Sequence, residues 1–121
     1  MRASALALAI VTLIMLGCRG EQPPEPPRIG DARRGVEAME RHGCGACHQI
    51  PGVRGARGVV GPSLAGFGRR PFIAGALRND PANLVRWIRD PQAIEPGTVM
   101  PTLGVTEVEA RDIAGHLTAL R

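Results

Sequence analysis

The sequence predicts an all-α domain, and three observations carry that expectation. Helical apolar periods recur three times after residue 30, no convincing period-2 strand pattern appears there, and long glycine- and proline-rich loops separate the helical stretches. Core-forming material is nonetheless sparse, with one Trp, two Phe and no Tyr in the chain. Three short helices of this composition make a poor core for a domain of roughly 90 residues. Long irregular loops are also uncommon in compact domains unless they are functional. Together these facts call for something large and apolar at the centre, with the loops wrapped around it.

The first helix is read in "DARRGVEAMERHG". Asp31 is placed to cap it, Ala32, Val36 and Met39 recur on one face, and Gly43 ends it. Gly35 lies on the side of Met39 and costs about 1 kcal/mol against alanine. Such a glycine makes sense where another helix crosses closely. The second helix is "NDPANLVRWIRDP": Asp80 caps, Pro81 takes the first helical position, Leu84, Trp87 and Ile88 share a face, and Pro91 stops it. The third is "TEVEARDIAGHLTALR", opened by a Thr106–Glu109 capping-box pattern and buried along Ile113, Leu117 and Leu120. Residues 51–78 and 91–105 are the long loops.

Ahead of this domain, Arg2 precedes an apolar run from Ala3 to Leu16 interrupted only by Ser4 and Thr12. A run of roughly 14 residues is short for a membrane span and has the length of a signal-peptide core. It ends in "IMLGC", which resembles a lipoprotein signal, with Gly17 before a Cys18 that would be lipidated. The segment "CRGEQPPEPPRIG" then reads as a stiff, extended tether. The expected organisation is a signal peptide over 1–17, a lipidated cysteine and tether over 18–29, and a folded domain over 30–121. The formal charge is +4, every basic residue counted with it is an arginine, and acids are interleaved among them. A scattered pattern on an exported, membrane-tethered chain argues against a nucleic-acid partner.

The chemistry is concentrated in "HGCGACHQIPG", residues 42–52. Of three cysteines, lipidation of Cys18 leaves the pair Cys44 and Cys47, so a four-cysteine zinc site is excluded. A thioredoxin-type dithiol wants a strand before the pair and a βαβ setting, which this sequence lacks. A zinc site drawing on His48, His42 or His116 has no second pair at finger-like spacing. Cys-x-x-Cys-His is also the pattern of covalent haem attachment, in which the two thiols add to the vinyl groups and the next histidine can offer its imidazole to iron. On that reading Cys44 and Cys47 are the thioether residues and His48 the proximal ligand. A low-spin carrier needs a second ligand from a distant loop, and "PGTVMPTLG" supplies Met100, a soft thioether that favours ferrous iron. Met39 falls on a core stripe, and Met1 and Met15 lie in the signal.

With "GDARRGVEAM", "CGACH", "GPSLAGFGRR", "NLVRWIRDPQAIEPGTVMP" and "EARDIAGHL" in place, residues 30–121 resemble the class I c-type cytochromes. They are similar to the monohaem domains of bacterial respiratory chains and of some oxidase subunits II. The resemblance implies a cytochrome c-like fold of three to four short helices around one covalent haem c. It implies that Pro62 accepts the Nδ1 proton of His48, and that Arg69, Thr98 and Asn79 meet the propionates. It also places Trp87 beside the ring near Met100, and Gly35 at a close crossing of the first and last helices near Ile113 and His116. His42 is expected at the surface, with Arg70 a solvated loop arginine. The implied function is single-electron transfer by a membrane-anchored lipoprotein facing the periplasm or extracytoplasmic space, not an enzyme in its own right. Its redox partners would be a quinol-oxidising complex, a terminal oxidase or a periplasmic oxidoreductase. The lysine ring by which mitochondrial relatives dock is absent, and Arg41, Arg54, Arg57 and Arg86 are the residues able to replace it. A haem enzyme subunit or ligand sensor is the alternative if Met100 does not close the sixth iron position, since both need that position open.

Overall fold

The computed structural model describes residues 29–121. Four helices make its framework: α1 (Ala32–Arg41), α2 (Pro81–Arg89), α3 (Pro91–Ile94) and α4 (Glu107–Ala119). Short 3-10 turns stand at Cys44–Ala46 and Phe67–Arg69. One small antiparallel pair, β1 (Phe72–Ile73) with β2 (Leu77–Arg78), sets Phe72 beside Arg78 and Ile73 beside Leu77. The expectations for a signal peptide, a lipidated Cys18 and a tether lie outside the described residues apart from Ile29. No helix among the described residues is long and apolar enough to cross a membrane.

The helices begin where their side chains can satisfy the orphan N–H groups of a first turn. The Asp31 carboxylate accepts from the N–H groups of Arg33 (2.9 Å) and Arg34 (3.1 Å). Asp80 accepts from Asn83 N–H at 2.9 Å, with Pro81 at the first helical position. At α4 the capping box is reciprocal: Thr106 accepts from Glu109 N–H (3.3 Å), and the Glu109 carboxylate accepts from Thr106 N–H (3.0 Å).

Helices α1 and α4 cross at a point where no side chain fits. A Cβ on Gly35 would lie 2.6 Å from the carbonyl carbon of Asp112 and 2.9 Å from the nitrogen of Ile113. The helix penalty of that glycine is therefore the cost of bringing two backbones together. Beside the crossing, Asp112 is 4% exposed. Its carboxylate accepts from Arg34 Nε (2.8 Å) and Nη2 (3.1 Å) and from the backbone N–H of Asp31 (2.8 Å). These bonds tie the start of α1 to the middle of α4 and hold the Asp112 carboxyl below its ordinary value, Arg34 being the main cause.

The core residues surround a cavity. Met39, Phe67, Leu84, Trp87, Ile113 and Leu117 are buried core residues, and each also borders a cavity of about 480 Å³. Two local expectations are corrected. Pro91 does follow the end of α2, but it also opens the single turn α3, capped by Asp90, which accepts from Ala93 N–H at 3.2 Å. Within the stretch expected to be irregular, the strands β1 and β2 contribute two residues each, too few to display an alternating pattern.

Candidate cofactor site

The cysteine pair occupies the 3-10 turn that follows α1. His42 N–H still bonds Ala38 O (2.9 Å) at the helix end, and Gly43, at φ 70°, takes the left-handed conformation that redirects the chain. The turn Cys44–Ala46 then brings both sulfurs to the cavity, with His48 N–H on Cys44 O at 3.1 Å. Cys44 and Cys47 are not joined in a disulfide. Burial pushes the Cys44 thiol above its ordinary pKa.

The His48 ring is fixed in one tautomer. Its Nδ1 lies 2.7 Å from the carbonyl of Pro62, which can only accept, so Nδ1 carries a proton and, in the neutral ring, the lone pair falls on Nε2. Gly61 packs flat against the same ring: a Cβ there would lie 2.7 Å from Nδ1 and 2.9 Å from Nε2, and closer still to Cε1. The glycine is a cradle for the imidazole, and its own N–H bonds Cys47 O at 2.8 Å.

Seven of the residues expected at the site line this one cavity: Cys44, Cys47, His48, Pro62, Trp87, Thr98 and Met100. Met100 and Thr98 arrive on the loop between α3 and α4, some fifty residues along the chain from His48. Two expected residues do not face it. Arg69 is exposed, while its neighbour Arg70 lines the cavity. The 3-10 turn ends at Arg69 and the backbone becomes extended at Arg70, which turns the second arginine inward. There the Arg70 guanidinium donates to the carbonyls of Ser63 and Ala65 and lies 5.5 Å from the centre of the Phe67 ring. Asn79 braces the loop instead, its amide donating to Phe67 O and Arg70 O at 3.0 Å each.

Of the remaining histidines, His42 departs from the surface position expected of it. The His42 side chain is 19% exposed and borders the cavity, with Nε2 3.3 Å from Glu109 Oε2 but poorly aligned for a hydrogen bond. Glu109 is held down to about 2 by the N–H of Thr106 first and then by Arg41. His116 Nε2 pairs with Pro51 O at 2.8 Å, on the segment just after the cysteine motif. One further residue escaped sequence reasoning. Gln92 bonds the loop that carries Met100, and only its place one residue after Pro91 could have hinted at that.

A largely apolar cavity with two thiols, a single-tautomer imidazole, a thioether and one arginine on its wall fits a flat, apolar, iron-bearing group with anionic substituents. Fold and site together define a haem-binding electron-transfer domain. The chain belongs to the cytochrome c family: the family model "Cytochrome c" matches residues 32–121. Within it, this is a class I c-type cytochrome domain. Similar curated proteins are the cytochrome c oxidase subunits 2 of Alkalihalophilus pseudofirmus, Bacillus sp. strain PS3 and Bacillus subtilis. The first is 36% identical over 98 residues, covering 80% of this chain and 28% of the relative. The second is 36% identical over 89 residues, covering 70% and 25%. The third is 33% identical over 85 residues, covering 65% and 24%. The chain thus spans about a quarter of the length of the relatives it matches.

Proposed function

We propose that this domain is a single-electron carrier holding one haem c, attached through Cys44 and Cys47 and ligated by His48 and Met100. The observation that carries the reading is the meeting of these four side chains around one cavity, with the Nδ1 proton of His48 committed to Pro62. When bound, the haem supplies a one-electron iron couple. The chain's part is positional. Pro62 and Gly61 hold the imidazole plane and present Nε2 as the lone-pair nitrogen. Met100 brings a soft ligand that favours the reduced state. Arg70 takes the propionate role expected of Arg69, and Thr98 offers a hydroxyl to the same cavity. Trp87, Leu84 and Ile113 keep water from the interior.

In the cell, residues 1–17 act as an export signal, Cys18 carries lipid, and residues 18–29 tether the domain to the membrane on the extracytoplasmic side. Confinement there raises the effective concentration of the carrier at its partners. The redox partners are respiratory: a quinol-oxidising complex, a periplasmic oxidoreductase or a terminal oxidase. The relatives, all cytochrome c oxidase subunits 2, favour the terminal oxidase, and with it a second reading in which the domain works as part of an oxidase assembly. Mass spectrometry of the domain produced with c-type maturation tests the attachment. The expected result is one haem mass that survives acid–organic extraction and is lost in a Cys44→Ser, Cys47→Ser double variant. An extractable haem, or none, overturns the reading.

A further inference from the structure

The loop that carries Met100 has no regular secondary structure to hold it, yet it is held. Gln92, half-buried on α3, donates through Nε2 to the carbonyls of Thr98 (2.6 Å) and Met100 (2.9 Å). Its Oε1 accepts from the N–H of Gly97 at 3.3 Å. One side chain therefore engages backbone groups of three residues within a four-residue stretch. The turn beneath it is rooted, since Pro91 is among the fully buried side chains. Asp90 adds a second attachment beyond Met100, accepting from the Thr102 hydroxyl at 2.9 Å. From the other side the same loop faces the cavity through Thr98, Val99, Met100 and Pro101.

We propose that Gln92 is the positioning residue for Met100: it grips the loop from behind and keeps the thioether aimed into the cavity. The proposal rests on the reading of Met100 as the second iron ligand. Both ends of the amide act, but the two carbonyls can only be met by a donor. Packing against the loop and donation to it therefore predict different orders of variants. Gln92→Glu is isosteric yet sets a carboxylate oxygen against two carbonyl oxygens, whereas Gln92→Leu merely removes the donor.

The test uses the haem-loaded protein, each variant carried beside wild type at neutral pH with its denaturant midpoint measured. The readouts are the far-red methionine–iron band of the oxidised form and the rate of carbon monoxide binding to the reduced form. Loss of two neutral hydrogen bonds corresponds to a rise of about tenfold to hundredfold in the fraction of open loop. Carbon monoxide binding is expected to quicken by that factor in Gln92→Leu and by more in Gln92→Glu, and the band to weaken in the same order. Should the carboxylate prevent folding, Gln92→Leu alone still carries the expected quickening. A Gln92→Glu protein that matches wild type in band and rate overturns the proposal, because packing alone would then suffice. Wild type lacking the band removes the Met100 reading and this proposal with it, a result separate from variants that fail to differ.

Discussion

Gly61→Ala is the sharpest perturbation of the site. The backbone at Gly61 is not in the left-handed region, so the substitution introduces no φ strain and its effect is steric. The new methyl carbon would stand 2.7 Å from His48 Nδ1 and 2.9 Å from Nε2, where ordinary contact begins at 3.4 Å. The ring must retreat by roughly 1 Å, because van der Waals contact leaves no other room. Retreat stretches the 2.7 Å bond to Pro62 O, the feature that fixes the tautomer. Overpacking of this kind costs about 1–3 kcal/mol and the lost hydrogen bond about 1 kcal/mol more. The expected destabilisation is therefore about 2–4 kcal/mol, read as a fall in the denaturant midpoint of the haem-loaded protein. Gly35→Ala is the control, since it forces α1 from α4 by a backbone clash without touching His48. Both variants are expected to lose stability, but on the proposed ligation by His48 only Gly61→Ala should change the haem absorption bands. A Gly61→Ala protein within about 0.5 kcal/mol of wild type, with unaltered bands, would refute the placement of the imidazole.

Other expectations follow from the same geometry. Arg70→Ala should shift the reduction potential and make it more salt-sensitive, whereas Arg69→Ala should leave it near wild type; potentiometric titration of both variants separates them. Asp112→Asn should lower stability by about 1–3 kcal/mol in denaturant melts, discounted from a fully buried pair because Arg34 is largely exposed. Acid should weaken the fold in a defined window. Glu109 is held at about 2 against an ordinary 4.5, and Asp31, Glu107 and Asp112 are lowered as well. Depressed carboxyls stabilise the folded state above their unfolded pKa, so stability is full above about pH 4.5 and falls as the pH drops toward 2. Thr106→Ala, which removes a hydrogen-bond partner of Glu109, should blunt that fall in melts taken across the window.

The features legible in the sequence are those written in local chemistry. Asp31, Asp80 and the Thr106–Glu109 pair marked helix starts because capping depends on a few adjacent residues. Gly35 signalled a close crossing because a glycine inside an amphipathic helix is costly without one. The cysteine motif and Met100 stood out because soft ligands are few in this chain. The misplaced residues were those decided by backbone direction. Arg69 and Arg70 are indistinguishable as a dipeptide, and only the change from 3-10 to extended backbone turns the second one inward. Asn79 and Gln92 act on backbone carbonyls of other segments, contacts that leave no periodic trace. His42 is recessed because α4 brings Glu109 over it, which no local pattern at residue 42 records.

The central claim is that His48 and Met100 would both ligate the iron of a haem held through Cys44 and Cys47. Absorption spectra of the matured domain, oxidised, reduced and reduced under carbon monoxide, test it most directly. The account predicts a c-type spectrum with the weak far-red methionine–iron band when oxidised, and reduced bands that carbon monoxide does not readily move. A prompt shift with carbon monoxide would mean an open sixth position and contradict the closed carrier, giving the site to a ligand-binding or enzymatic role.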